Sequence, residues 1–221
     1  MARRRSPLGV ASCPGQMPAS PRAAADSLRK GDDPVGLALI IAAGLAVMAA
    51  SAMALVYAPR EPIMGDVQRI FYFHVASAWV GFLAFGVALA SGIAYLARRD
   101  RRWDTLAASS IEVGLAFMVM AVVTGALWAR PVWGVFWTWE PRLTITAVQL
   151  LLYAAYLMLR ASVDDGDQRA RYAAVYSVVA FLTVPLSWFA IRWWRTIHPD
   201  LLTGGGGLAI APAMLWTLAA T

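Results

Sequence analysis

The chain has 221 residues, of which 60% are hydrophobic and only 14% charged, with a formal net charge of +6. A soluble domain carries about 25% charged residues, so this composition excludes an ordinary soluble domain and favours lipid as the surroundings. The basic residues lie at the ends of apolar runs, as membrane topology requires, so we predict no nucleic-acid partner. Cys13 is the only cysteine, which excludes a disulfide framework and a thiolate metal cluster.

Residues 1–34 are polar and rich in Pro, Ala, Ser and Arg, and we interpret them as a disordered cytoplasmic extension. A signal peptide is not predicted, because no apolar core of about 7–15 residues precedes Ala24. Cys13 lies in this extension and is expected to be incidental. The membrane domain is expected to occupy residues 35–221.

Six apolar runs follow, and each is near the roughly 20 residues that a helix needs to span a bilayer. Since alternation of period two is absent, helices are favoured over a barrel, and the predicted fold is an all-α, polytopic integral membrane protein. The last run has only 14 residues, which indicates a short, tilted helix or a truncated span. Pro185 is expected to kink the fifth span. The runs are Val35–Tyr57, Ile70–Ala97, Thr105–Trp128, Leu143–Leu159, Tyr172–Ile191 and Leu208–Thr221.

The lysines and arginines predict the orientation of these spans. With the N-terminus in the cytoplasm, 13 of the 19 basic residues fall in inner segments and 6 in outer segments. This excess on the inner side satisfies the positive-inside rule. The outer loops are then 58–69, 129–142 and 192–207.

The predicted topology places three unusual features on the outer side. His74 lies near the outer start of the second span, and His198 lies in the loop between the fifth and sixth spans. A tryptophan-rich segment, Trp133–Thr144, lies in the loop between the third and fourth spans. Two neutral imidazoles can fill both axial positions of a haem iron. The alternative is that each histidine only caps a helix or lies at the interface.

Eight of the ten tryptophans are expected in or near the outer half of the membrane. An aromatic belt would populate both interfaces, whereas a platform of indoles suits a large apolar macrocycle on one side. Arg142 and Arg195 are the candidate partners for haem propionates, and snorkelling to lipid headgroups is the alternative role for outer arginines. The eight residues are Trp79, Trp128, Trp133, Trp137, Trp139, Trp188, Trp193 and Trp194.

Together these segments resemble the CcmC family, the haem-handling subunit of the cytochrome c maturation system. The resemblance covers residues 35–221 and is carried by three motifs in the same order and at similar spacing. Phe136 stands where the family usually has tryptophan, and Glu140 where it usually has aspartate. The motifs are Trp133-Gly134-x-x-Trp137-x-Trp139-x-x-Arg142-Leu143-Thr144, Gly65-Asp66-x-x-Arg69-Ile70-x-Tyr72-x-His74-Val75 and Trp193-Trp194-x-Thr196-x-His198.

The resemblance implies that haem b is held non-covalently and transiently, with His74 and His198 as axial ligands of the iron. It implies delivery of haem to the chaperone CcmE, beside an ABC transporter of CcmA and CcmB and the small subunit CcmD. The expected location is the bacterial inner membrane, in contact with its lipids. The other expected haem contacts are Trp128, Trp133, Trp137, Trp139, Glu140, Arg142, Trp193, Trp194 and Arg195.

Three alternatives stay open at this point. A haem permease subunit of an ABC exporter would need polar residues through the membrane depth, where Glu112 is the one clear candidate. A cytochrome c synthase component would need further haem ligands, and an electron-transfer cytochrome would bury its haem between spans. We expect no enzymatic activity. Glu112 is expected to pack between helices or to contact a partner subunit, and Glu140 to position its loop by pairing with an arginine.

Overall fold

The computed structural model describes residues 34–62, 64–194, 196–198 and 212–221, which are almost entirely helical. In these ranges, β structure is limited to one isolated bridge between Glu61 and Gly65. The chain divides into two compact units, Met1–Ala46 and Val47–Thr221. The extension expected at 1–34 lies, apart from Pro34, outside the described residues.

Between residues 66 and 193 the helices follow one another through short connections. A π-helical turn, Met53–Tyr57, continues the first helix, and a single 3₁₀ turn, Asp66–Gln68, leads into the second. The helices are α1 Pro34–Ala52, α2 Arg69–Arg98, α3 Arg101–Trp133, α4 Pro141–Ser162, α5 Gly166–Ala180, α6 Thr183–Trp193 and α7 Pro212–Ala220.

Five helical segments are long and apolar enough to cross a membrane, which confirms the all-α, polytopic fold class and the first five predicted spans. Two of them have 33 residues, or about 50 Å of helix, and therefore exceed a hydrocarbon core of about 30 Å. The predicted sixth span begins outside the described residues, and α7 covers its last part with nine residues. The five segments are Pro34–Tyr57, Asp66–Arg98, Arg101–Trp133, Pro141–Ser162 and Gly166–Trp193.

Tight caps explain how the connections turn the chain. Arg99 ends α2 in the left-handed conformation (φ 57°), and the Asp100 carboxylate accepts a 3.0 Å hydrogen bond from the Arg102 amide to begin α3. The side-chain and backbone hydrogen bonds from Arg102 also hold the pKa of the Asp100 carboxyl below its usual value. At the other end, Gly134 ends α3 with φ 79°, which a residue without a Cβ adopts readily.

Close packing of α2 against α3 forms the centre of the larger unit. A methyl group at Gly114 would lie 2.7 Å from the Phe85 ring, so the absence of a side chain there lets the two helices approach. Phe85 in turn stacks on Tyr153 of α4 with a ring-centroid distance of 3.6 Å. Other members of this core are Ile111, Met118, Tyr156, Ala173 and Ala180.

The fifth span is interrupted between α5 and α6, at Phe181 and Leu182. Pro185 lies four residues after Phe181 and has no N–H to donate to the Phe181 carbonyl. The Val184 amide bonds this carbonyl instead, at 2.9 Å. The kink predicted from Pro185 is therefore confirmed.

Candidate functional site

His74 lies on the buried side of α2 and is fixed against α3. Its Nδ1 atom is 2.7 Å from the Ala121 carbonyl oxygen, which can only accept, so Nδ1 carries the proton. The other ring nitrogen, Nε2, consequently keeps its lone pair. A methyl group at Gly125 would lie 2.8 Å from Cε1 of the ring, so Gly125 provides the groove in which the imidazole sits.

His198 is held by a chain of hydrogen bonds that begins at the start of α4. The Glu140 carboxylate accepts from the Leu143 amide at 2.9 Å and so caps this helix. Its second oxygen accepts a hydrogen bond from the Thr196 hydroxyl. Thr196 Oγ1 accepts in turn from the His198 amide at 3.1 Å. Glu140 thus contacts the histidine segment through Thr196, and its expected arginine partner does not occur among the described residues.

The two imidazoles lie close together in the lining of one cavity. Their ring centroids are 6.3 Å apart and their planes differ by 40°. A metal–imidazole bond is about 2 Å and the centroid lies about 1 Å beyond the nitrogen, so trans ligands of one metal have centroids about 6 Å apart. The spacing of His74 and His198 therefore fits a pair of axial ligands.

The cavity between the histidines is small and mostly apolar, with a volume of about 80 Å³. Sites for drug-sized ligands have about 300–1,000 Å³. A macrocycle therefore needs either an opening movement of the outer segments or a position partly outside this cavity. The lining includes His74, Ala121, Gly125, Trp128, Trp133, Phe136, Trp137, Arg142, Thr146 and His198.

Two of the lining tryptophans offer hydrogen-bond donors. The indole N–H groups of Trp128 and Trp137 are buried and have no hydrogen-bond partner within the described part of the chain. Trp128 packs edge-to-face on Trp133 with a centroid distance of 5.4 Å. Arg142 lies in the same wall. Indole and guanidinium donors beside apolar ring faces suit a ligand with an aromatic body and carboxylate groups.

Other predicted site residues lie away from the cavity lining. Trp139, Trp193 and Trp194 are exposed by 75%, 63% and 46%. Trp139 contacts the edge of Trp137, and Trp193 contacts Trp194. Contact of these three with haem stays a prediction. Arg195 lies outside the described residues.

Three other arginines of the outer side have partners of their own. Arg60 and Arg69 both pair with Asp66, at 2.8 and 3.1 Å. Arg130 lies over the Phe136 ring at 5.7 Å and donates to the Gly134 carbonyl.

Glu112 is exposed on α3 rather than packed inside the described chain. A partner contact for it stays a prediction. Gly125 and Thr146 line the cavity but could not be predicted from the sequence, since neither side chain offers iron a histidine-like ligand. Thr196 lies within a predicted motif, but its contact with Glu140 had no signal in the sequence.

The fold and the cavity define a multi-pass α-helical membrane protein with a tryptophan-lined cavity that contains two histidines and is lined mainly by α2, α3 and α4. The family model described as CcmC, heme exporter protein C, matches residues 22–221. The chain belongs to this family, as its three motifs predicted.

Two bacterial relatives carry the name of this family, and a third relative is named as similar to it. The chain is 33% identical over 159 residues to heme exporter protein C of Bradyrhizobium diazoefficiens, covering 72% of this chain and 60% of that protein. It is 31% identical over 143 residues to heme exporter protein C of Escherichia coli K12, covering 64% and 58%. A putative ccmC-like mitochondrial protein for cytochrome c biosynthesis in Marchantia polymorpha is 27% identical over 158 residues, covering 72% and 67%. The chain thus spans about 60% of the length of these bacterial relatives.

Proposed function

We propose that this chain binds haem b non-covalently at the outer face of the membrane and delivers it to a CcmE-like chaperone during cytochrome c biogenesis. The observation that carries the proposal is the pair His74 and His198, whose rings face each other at a centroid distance of 6.3 Å. Membership in the heme exporter protein C family supports the choice of haem as the cargo. No bond-making step is assigned to the chain.

Each histidine has a distinct part in the proposed site. The hydrogen bond from His74 Nδ1 to Ala121 fixes the tautomer and the ring, and it leaves Nε2 for the iron. When bound, haem would present an iron that takes nitrogen ligands and two propionate carboxylates on its macrocycle. His198 lies beyond the end of α6, and its backbone amide donates to Thr196. Because His198 lies outside a helix whereas His74 lies within α2, we propose that His198 leaves first at hand-over and His74 keeps its place.

The tryptophans and Arg142 would bind the macrocycle and the propionates of haem. Trp128, Trp133 and Trp137 present apolar ring faces that exclude water from the macrocycle. The buried indole N–H groups of Trp128 and Trp137 can donate to a propionate, and Arg142 can pair with it. We propose that five further residues also contact haem: Trp139, Glu140, Trp193, Trp194 and Arg195.

The proposed setting is the bacterial inner membrane. There the chain would work beside a CcmA and CcmB transporter and CcmD, with membrane lipids around residues 35–221 and an N-terminal extension, 1–34, in the cytoplasm. The five long apolar segments support a multi-pass arrangement.

The first test is the visible absorption spectrum of the purified protein, compared with His74→Ala, His198→Ala and the control Gln168→Ala in the first turn of α5. We expect a six-coordinate bis-histidine spectrum in the wild type and the control, and an altered or lost spectrum in both histidine variants. Mixing haem-loaded protein with the purified chaperone and separating the two should then move haem to the chaperone. Unchanged spectra in both histidine variants would refute the ligand assignment.

A further inference from the structure

The fully buried side chains of helix α4 all carry a polar group. Its buried residues are Gln149, Tyr153 and Tyr156, and each is 0% exposed. Leu151 and Met158, on its other side, are exposed by 71% and 70%. A membrane helix buries polar side chains where protein groups or water satisfy them, because lipid offers no hydrogen bonds.

These residues form one continuous stripe. Their spacing of three and four places them on a single helix face. At the outer end Thr146 lines the cavity that holds the two histidines. From Thr146 to Arg160 the helix rises about 21 Å, most of the thickness of a hydrocarbon core. We call Thr146, Gln149, Tyr153, Tyr156 and Arg160 the α4 polar stripe.

A buried ion pair closes the inner end of the stripe. The Arg160 guanidinium makes two contacts with the Asp104 carboxylate of α3, at 2.5 and 3.1 Å. The two side chains are exposed by only 18% and 8%. The guanidinium carbon also lies 5.8 Å from the centroid of the Tyr156 ring. Charged groups thus mark the point where the stripe reaches the predicted cytoplasmic side.

The middle of the stripe has unused hydrogen-bonding capacity. Both amide atoms of Gln149 and the hydroxyl of Tyr153 are buried without a hydrogen-bond partner among the described residues. The Tyr156 hydroxyl, beside Arg160, also has no hydrogen-bond partner of normal geometry among the described residues. Buried polar groups left in this state are costly, and internal water molecules that make two to four hydrogen bonds commonly satisfy them.

We propose that the α4 polar stripe binds a file of internal water molecules and forms a proton path between the Arg160–Asp104 pair and the outer cavity. Hydroxyl groups, an amide and water both donate and accept, so they can relay a proton from one to the next. The Phe85 ring stacks on Tyr153 at a centroid distance of 3.6 Å, so the stripe offers no passage to the macrocycle at this point. The stripe would place polar side chains at membrane depth, as a permease needs, for water and protons rather than for haem.

Radiolytic footprinting tests the bound water directly. Brief X-ray irradiation of the whole protein in lipid nanodiscs generates hydroxyl radicals from bound water, and mass spectrometry locates the modified side chains. We expect modification of Tyr153 and Tyr156 in the wild type and in the lipid-side control Val148→Leu, and its loss in Gln149→Leu. Labelling no higher than in an unirradiated sample, or equal labelling in Gln149→Leu, would overturn the proposal.

Proton flux tests the path. Proteoliposomes with an internal pH dye, clamped by potassium and valinomycin, report how fast an imposed pH difference decays. The control variant is Tyr172→Phe, because the Tyr172 side chain is half exposed and lies outside the stripe. The wild type and this control should dissipate the pH difference faster than the double variant Gln149→Leu/Tyr153→Phe. Equal rates in all three preparations would refute a proton path. Haem content measured in the same samples separates this outcome from a failure of haem binding.

Discussion

Adding one methyl group at Gly125 should displace the proposed His74 ligand without unfolding the protein. In Gly125→Ala the new carbon would lie 2.8 Å from Cε1 and 3.0 Å from Nδ1 of the ring. Carbon atoms pack at about 3.5–4.0 Å, so the ring must move by roughly 1 Å. The 2.7 Å bond to the Ala121 carbonyl then exceeds hydrogen-bonding distance.

Gly125→Ala should change haem affinity much more than it changes the free energy of unfolding. Loss of the hydrogen bond costs about 0.5–1.5 kcal/mol, while alanine is favoured over glycine inside a helix by about 1 kcal/mol. The free energy of unfolding should therefore change by no more than about 1 kcal/mol. Metal–ligand distances tolerate only about 0.2 Å, so a shift of about 1 Å breaks the proposed iron bond. We expect haem affinity to fall by at least about tenfold, which is 1.4 kcal/mol.

The assay is titration of haem into detergent-purified protein, followed by absorption, with thermal unfolding measured in parallel. Gly86→Ala is the matched control, because a methyl group there would meet its nearest neighbour, in Phe181, at 4.0 Å. Gly86→Ala should bind haem as the wild type does. If Gly125→Ala binds haem with the same affinity and spectrum as Gly86→Ala, the groove does not position a ligand and the reasoning fails.

Three further predictions follow from single contacts. Thr196→Val removes the hydroxyl that joins the histidine segment to α4, so the spectrum should lose its six-coordinate character, whereas Thr196→Ser should retain it. Asp104→Asn leaves the buried Arg160 guanidinium without its charge partner and should lower the unfolding free energy by about 3 kcal/mol, measured by thermal unfolding in detergent. Asp167→Asn breaks an exposed pair with Arg101 and should cost less than about 1 kcal/mol in the same measurement. Trp128→Phe keeps an aromatic ring but removes a buried donor, so equilibrium titration should show weaker haem binding. Trp216→Phe, in α7 and 70% exposed, should leave affinity unchanged; equal affinities of the two variants would exclude the indole donor from the site.

The spans could be predicted because hydropathy is a local property of the sequence. Runs of about 20 apolar residues identified the first five segments, and Pro185 predicted the interruption at Phe181 because its effect acts within one helical turn. The topology then placed His74, His198 and the tryptophan segment on one side. These features meet at one cavity in the structure.

Contacts between distant segments could not be predicted in the same way. Gly125 is important because the His74 ring packs against it. The two residues are 51 positions apart in the sequence, and no sequence motif indicates that they are in contact. Gln149, Tyr153 and Tyr156 are separated by apolar residues, so an average over a window hides them. Their spacing of four and three was the available signal, and only burial shows that the polar face turns inward.

Imidazole rescue is the sharpest test of haem ligation by His74 and His198. His74→Gly and His198→Gly each remove one proposed axial ligand and leave space for a free imidazole from solution. We expect each variant to lose the six-coordinate spectrum and to regain it when imidazole is added, while the wild type is unaffected at the same concentration. Six-coordinate spectra in both variants without added imidazole would contradict axial ligation by these two histidines.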